Sequence, residues 1–309
     1  MDLKTSKITK IIIAVAIITI IFFFLGKTLY VSWSEIAQAN IKPNIVSLVV
    51  SLILFVCSFL LGFGFAWFLT LRLFNRDITF WQAVRTSAFA QFGKYIPGKV
   101  WAFGGRVYFA KKYGVGEVET ITALLIETVT STASAIILFI LSLFTYKNLN
   151  VPFNMYLLLI FIPLSFVVIH PKVLTSILKT LFALLRRVRM LKRNIVLPEL
   201  QFTSLLVIYL FYFLYWIVHT IGFYFVTNAI FPIPFCSALG VMGAYAMSWT
   251  IGFLVILVPG GFGIREGLLT IFLQNFMPLS FATLMAFVGR LWTTIGEILY
   301  FFVSLIKKQ

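Results

Sequence analysis

Acidic side chains are the scarcest charged class in this chain. Asp and Glu number 9 against 25 Lys and Arg in 309 residues, giving a formal net charge of +16. Charged residues of both signs make up only 11%. Cysteine is nearly absent: Cys57 and Cys236 each fall in an apolar segment, which argues against a disulfide framework and a thiolate metal site. The two histidines, His170 and His219, stand alone, with no His/Asp cluster at metal-ligand spacing and no nucleophile–base–orienter set. No Gly-x-x-x-x-Gly-Lys-Ser/Thr loop is present, so no nucleotide hydrolysis is expected. Long polar stretches are missing too. The longest, Pro171 to Gln201, is basic and broken by apolar residues, leaving no room for a separate catalytic domain. These absences predict a protein with no cofactor, no metal and no hydrolytic or transferase chemistry of its own.

Apolar residues fill the space. They make up 61% of the chain, with a mean hydropathy of +1.04. That balance belongs to an all-α polytopic membrane protein rather than a soluble domain. The basic excess then follows from the positive-inside rule, and nucleic acid is not an expected partner. The N-terminus, with Lys4, Lys7 and Lys10 before an apolar run to Leu25, reads as a retained first span; no small-x-small cleavage site follows the run.

Runs of roughly 20 apolar residues, enough to cross the hydrocarbon core, occur near 9–29, 44–71, 119–146, 153–170, 202–230 and 280–306. Two further apolar regions, 83–110 and 236–276, break the pattern. The first contains Lys94-Tyr95-Ile96-Pro97-Gly98-Lys99 and then Gly105-Arg106; the second contains Pro259-Gly260-Gly261-Phe262-Gly263-Ile264-Arg265-Glu266. Backbone exposed to lipid must be helical or closed into a barrel, so broken backbone survives only against protein or a wet cavity. Each region is expected to form a re-entrant hairpin that enters and leaves on one side. With both termini cytoplasmic, the inside loops then hold most of the basic residues, including Arg72, Arg76, Arg85, Lys111, Lys112, Lys172, Lys179 and the cluster from Arg186 to Arg193. The outside loops hold only Lys27, Lys42 and Lys147. The chain divides into halves 1–152 and 153–309, each with three spans and one hairpin. Because three crossings is odd, the second half is inverted, so its hairpin opens outward while the first opens to the cytoplasm. Inverted repeats with discontinuous helices are a recurring transporter plan.

Eight charges remain inside the membrane: Lys94, Lys99, Arg106, Arg265 and Arg290, with Glu127, Glu266 and Glu297. Each costs about 2.5–3.5 kcal/mol at the bilayer centre, so they must pair, meet water or bind a ligand. Glu127 and Arg290 occupy matching places after Pro97 and Pro259 and are expected to pair. Glu297 lies along the Arg290 face of its helix. Arg265 and Glu266, as neighbours on a helix, point apart and each needs another partner. Three acids neutralise three bases, leaving a positive surplus that a phosphate-bearing ligand would satisfy. Glycine-rich turns leading into half-helices add backbone N–H donors. The competing reading has Lys94, Lys99 and Arg106 merely reaching the interface. His219 is expected to be a hydrogen-bonded packing residue rather than a proton relay. The run Thr128, Thr130, Ser131, Thr132, Ser134 is expected to pack helices closely or to line a polar path.

These motifs, with the Glu127 helix and Gly289-Arg290-Leu291, resemble the lysylphosphatidylglycerol synthase transmembrane (flippase-like) family, here as a stand-alone member without the aminoacyl-transferase domain. The resemblance covers the chain from the second span onward. One position departs from it: Glu127-Thr128 stands where the family shows Glu-Arg. The resemblance implies lipid translocation or handling of lipid-linked glycans. It suggests a multi-pass protein of the cytoplasmic (plasma) membrane that moves a polyprenyl- or dolichyl-phosphate-linked sugar, a polyprenyl phosphate or a modified phospholipid. Its partner would be an anionic lipid or lipid-linked sugar, bound by Lys94, Lys99, Arg106, Arg265 and Arg290 and balanced by Glu127, Glu266 and Glu297. An intramembrane enzyme on lipid-linked substrates, or a non-transporting partner of a glycosyltransferase, are the alternatives.

Overall fold

The computed structural model describes residues 23, 25–31, 33–39, 41–95, 100–145, 160–187, 197–255 and 261–306. Among them every regular element is a helix. After a short helix α1 (Trp33–Gln38) come α2 (Ile45–Arg72), α3 (Phe80–Gln91), α4 (Val100–Lys112), α5 (Glu117–Leu143), α6 (Phe161–Val168), α7 (Pro171–Arg187), α8 (Phe202–Ile230), α9 (Ala238–Leu254), α10 (Ile264–Leu273) and α11 (Leu279–Leu305).

Helix starts follow from local chemistry. Asn44 accepts a hydrogen bond from the Ser47 N–H at 3.1 Å ahead of α2. Thr79 and Gln82 form a reciprocal capping box ahead of α3. Glu119 accepts from the Gly116 N–H at 2.9 Å at the start of α5, and the same carboxylate receives Arg76. Inside the helices, hydroxyls return their hydrogen bonds to carbonyls one turn back. Thr122, Thr128, Thr130 and Ser134 on α5 all do so, which satisfies these four hydroxyls in an apolar setting.

α2, α5, α8 and α11 match four of the expected spans, and each is long and apolar enough to cross a membrane. The span expected at 9–29 lies largely outside the described residues. The span expected at 153–170 is described only from residue 160, where α6 bends by 69° into α7. On α7, Leu174, Leu178 and Phe182 are buried along one face while Lys172 and Lys179 are exposed, the pattern of a helix lying along an interface. The two hairpin regions differ from each other. In 83–110 the arms α3 and α4 are short, 12 and 13 residues. In 236–276 the first arm, Phe235–Leu254, is itself long and apolar enough to cross, and only α10 is short.

α8 occupies the centre, packed against α2, α5 and α9. Its Tyr212, Tyr215, Trp216 and Phe223 enter a core shared with Phe55 and Phe59 of α2, Tyr245 of α9 and Tyr300 of α11. Small residues permit these approaches. Midway along α2 the backbone passes through a π-helical stretch, Leu60–Ala66, where Gly62 faces the Tyr215 ring. At the α5–α9 contact, a Cβ added to Gly243 would lie 1.9 Å from Ser142 Oγ. Without a hydrophobic drive between helices in lipid, such close contact supplies the packing energy. Gly243→Leu is therefore expected to push α9 off α5 at a cost of about 1–3 kcal/mol, seen as a lower Tm of the purified protein. An unchanged Tm would mean that the two helices do not meet there.

Candidate functional site

Three carboxylates pair with three of the cations, each across two helices. Glu127 of α5 pairs with Arg106 of α4, Glu266 of α10 with Arg290 of α11, and Glu297 of α11 with Lys94 in the 3-10 turn after α3. The expected Glu127–Arg290 pair does not form. Arg106 reaches Glu127 from the neighbouring helix, while Arg290 is held by Glu266 of α10. The Glu266 carboxylate is fixed in turn, because its other oxygen accepts the Gly263 N–H at 2.6 Å. The acids are almost fully enclosed, with side-chain exposures of 1% for Glu266 and 2% for Glu297. Lys94 and Arg106 therefore turn inward to a carboxylate rather than outward to an interface. Lys99 lies outside the described residues, as do Pro97, Gly98, Pro259 and Gly260.

Arg265 is held differently. Its Nη2 donates to Tyr245 Oη at 2.6 Å, and its guanidinium lies over the Tyr245 ring at 5.0 Å and the Trp249 ring at 5.6 Å. Tyr245 passes the bond on to Thr293 Oγ1 at 2.7 Å, and Thr293 donates to the Gly289 carbonyl at 2.6 Å. Among the described residues no carboxylate pairs with Arg265, although it is only 8% exposed. The tight turn before α10 sets its position. Gly261 and Gly263 take φ of 68° and 82°, a region that disfavours any Cβ. Gly261 also rests on the Gly252 backbone, where a Cβ would lie 2.7 Å from the Gly252 carbonyl oxygen.

The other guanidinium groups are also backed by rings. Arg106 lies 4.6 Å from the Trp67 ring and 5.3 Å from that of Phe63, and Arg290 lies over Phe262. These contacts hold cations in place by their flat faces.

Lys94, Arg106, Arg265 and Arg290 all line one cavity of about 140 Å³. Both broken regions contribute to it: Lys94, Phe103 and Arg106 from the first, Trp249, Gly252, Phe253 and Arg265 from the second. α5 supplies Glu127, Thr128, Ser131 and Thr132, while α11 supplies Arg290, Thr293, Thr294 and Glu297. Glu266 is behind the wall and holds Arg290 from there. The hydroxyl run on α5 thus divides: Thr128, Ser131 and Thr132 face the cavity, whereas Thr130 and Ser134 are fully buried.

His219 is a packing residue. It is fully buried, its Nδ1 lies 2.9 Å from Ser58 Oγ, and Phe55, Phe59 and Tyr215 surround its ring. Sequence reasoning missed the aromatic wall of Phe63, Tyr215, Trp216 and Trp249 and the Tyr245–Thr293 relay. In a chain that is 17% aromatic these residues do not stand out; the one available signal was the Gly62-Phe63-Gly64 interruption in α2.

Removing one member of a buried pair leaves a bare charge, at about 3–5 kcal/mol, whereas replacing both with apolar side chains is often nearly neutral. Glu127→Met alone is thus expected to lower the Tm of the purified protein sharply, and Arg106→Met/Glu127→Met to recover most of the loss. Equal losses in the single and double variants would mean that the pair is not coupled. No curated protein matches this chain. The model of the lysylphosphatidylglycerol synthase TM region matches residues 11–299, nearly the whole chain, and the chain belongs to that family.

Proposed function

We propose that this protein moves a phosphate-bearing lipid across the membrane, with the headgroup in the cavity and the apolar tails left in the bilayer. The substrate is a polyprenyl- or dolichyl-phosphate-linked sugar, a polyprenyl phosphate or a modified phospholipid. One observation carries the reading: cations from both broken regions line a single cavity inside a bundle of membrane-crossing helices. An anionic headgroup is the costly part of a lipid to carry through hydrocarbon. Here it meets guanidinium and ammonium groups, three hydroxyls on α5 and an aromatic wall that suits a sugar face or an acyl chain. Family membership supports lipid as the class of substrate.

In this reading Glu127, Glu266 and Glu297 hold Arg106, Arg290 and Lys94 while the site is empty, so an empty cavity carries little net charge through the membrane. The charge of an arriving phosphate weakens the hold of those carboxylates on their cations, without displacing them, and so loosens the contacts that join the helices. The halves 1–152 and 153–309 form an inverted repeat. With both termini on the cytoplasmic side of the plasma membrane, the first hairpin opens inward and the second outward, so the headgroup passes from one to the other. The protein transports and carries out no chemistry on its substrate.

The test is movement of a headgroup-labelled phospholipid in liposomes holding the purified chain, read by quenching of the label in the outer leaflet. Arg265→Ala and Arg290→Ala are each expected to slow the movement about tenfold or more, the effect of losing one charge-assisted contact. Wild-type vesicles no faster than protein-free ones would reject transport. Variants as fast as wild type would reject the site.

A further inference from the structure

Within that lipid-transport reading, which this inference presupposes, the cations lining the cavity are not equivalent. Lys94, Arg106 and Arg290 each have a carboxylate partner. Arg265 has none among the described residues; the hydrogen bond of its guanidinium there goes to Tyr245. A guanidinium carries five N–H donors, so most of this one is unspent, and two aromatic faces already fix its plane. Two residues in the wall of the same cavity carry further donors. The Trp249 indole N–H and the Tyr215 hydroxyl are both buried, and neither has a hydrogen-bond partner among the described residues. Buried donors in native proteins are nearly always paired. A fixed cation that shares a cavity wall with two idle donors is the complement of an oxygen-rich anion.

We propose that Arg265, Trp249 and Tyr215 form the subsite that takes the anionic phosphoryl oxygens of the headgroup. The paired cations act as a surrounding field whose charge is already balanced. Arg265 is suited to this role because binding there breaks no ion pair. The planar fork of Arg265 takes two phosphoryl oxygens, as a lysine ammonium does not. Trp249 and Tyr215 add one donor each from α9 and α8, so three elements close on the anion. The Tyr245–Thr293 relay keeps the guanidinium in place when the site is empty.

The experiment uses the full chain purified in an uncharged detergent. Binding of dioctanoyl phosphatidylglycerol is measured by microscale thermophoresis, with dioctanoylglycerol as the lipid lacking phosphate and inorganic phosphate as competitor. Wild type is expected to prefer the phospholipid to dioctanoylglycerol about tenfold or more. Arg265→Gln is expected to abolish that preference and Arg265→Lys to restore only part of it. Tyr215→Phe keeps its ring and Trp249→Phe keeps an aromatic ring, and each is expected to weaken phospholipid binding about three- to tenfold. These two variants also read the subsite if Arg265→Gln does not fold. Arg76→Gln removes one positive charge from an exposed pair outside the cavity and is expected to bind as wild type does. Displacement of the lipid by inorganic phosphate supports a site for the phosphoryl group itself; phospholipid binding without such displacement supports one that takes it only on a lipid. Equal binding of dioctanoylglycerol by wild type would overturn the phosphate-lipid reading as a whole. A wild-type phospholipid preference that survives in Arg265→Gln, or in Trp249→Phe and Tyr215→Phe together, would overturn this inference alone.

Discussion

The Glu266 carboxylate performs two tasks that the surrounding structure requires. One oxygen accepts the Gly263 N–H and so closes the start of α10; the other receives Arg290 from α11. A helix start inside a membrane protein has backbone donors that no water reaches, and a buried arginine requires an anion. One side chain meets both needs, so the turn before α10, the position of Arg265 on its first turn and the docking of α10 on α11 are fixed together. Glu119 repeats the device at the start of α5, where it joins the Gly116 N–H to Arg76. There the pair is more exposed and contributes less. The chemistry is the same and the burial sets the consequence.

The cavity is polar in a limited way. Its three guanidinium groups are ring-backed, Lys94, Arg106 and Arg290 are neutralised by carboxylates, and aromatic and small residues make up much of the remaining wall. In the proposed role such a wall would tolerate varied apolar or sugar moieties, while the charged groups would fix where an anion sits. The π-helical stretch of α2 contributes here, since Phe63 within it lines the cavity and faces Arg106. Local π geometry often marks functional positions in helices.

Much of this was legible in the sequence. Runs of apolar length located α2, α5, α8 and α11, because crossing hydrocarbon imposes a length that little else explains. Charges left in apolar surroundings identified the cavity side chains Lys94, Arg106, Arg265, Arg290, Glu127 and Glu297, because lipid makes an isolated charge costly. Pairing was less legible. Matching Glu127 to Arg290 relied on their similar positions after a proline, whereas actual partners depend on which helices touch, and α4 lies beside α5. The length of α9 was hidden by the glycines and the turn that follow it. Trp249 and Tyr215 carried no signal, since a lone aromatic in an aromatic-rich chain looks like packing until its polar atom is found without a partner.

α11 carries both Arg290 and Glu297, seven residues apart, or about 10 Å along a helix at 1.5 Å per residue. Arg290 joins it to α10 of the second broken region, and Glu297 joins it to the turn after α3 in the first. The two regions are thus pegged to one rigid rod at a fixed interval. Sliding one past the other requires unpegging an ion pair from that rod, so α11 serves as the ruler against which any relative displacement of the two sides is measured.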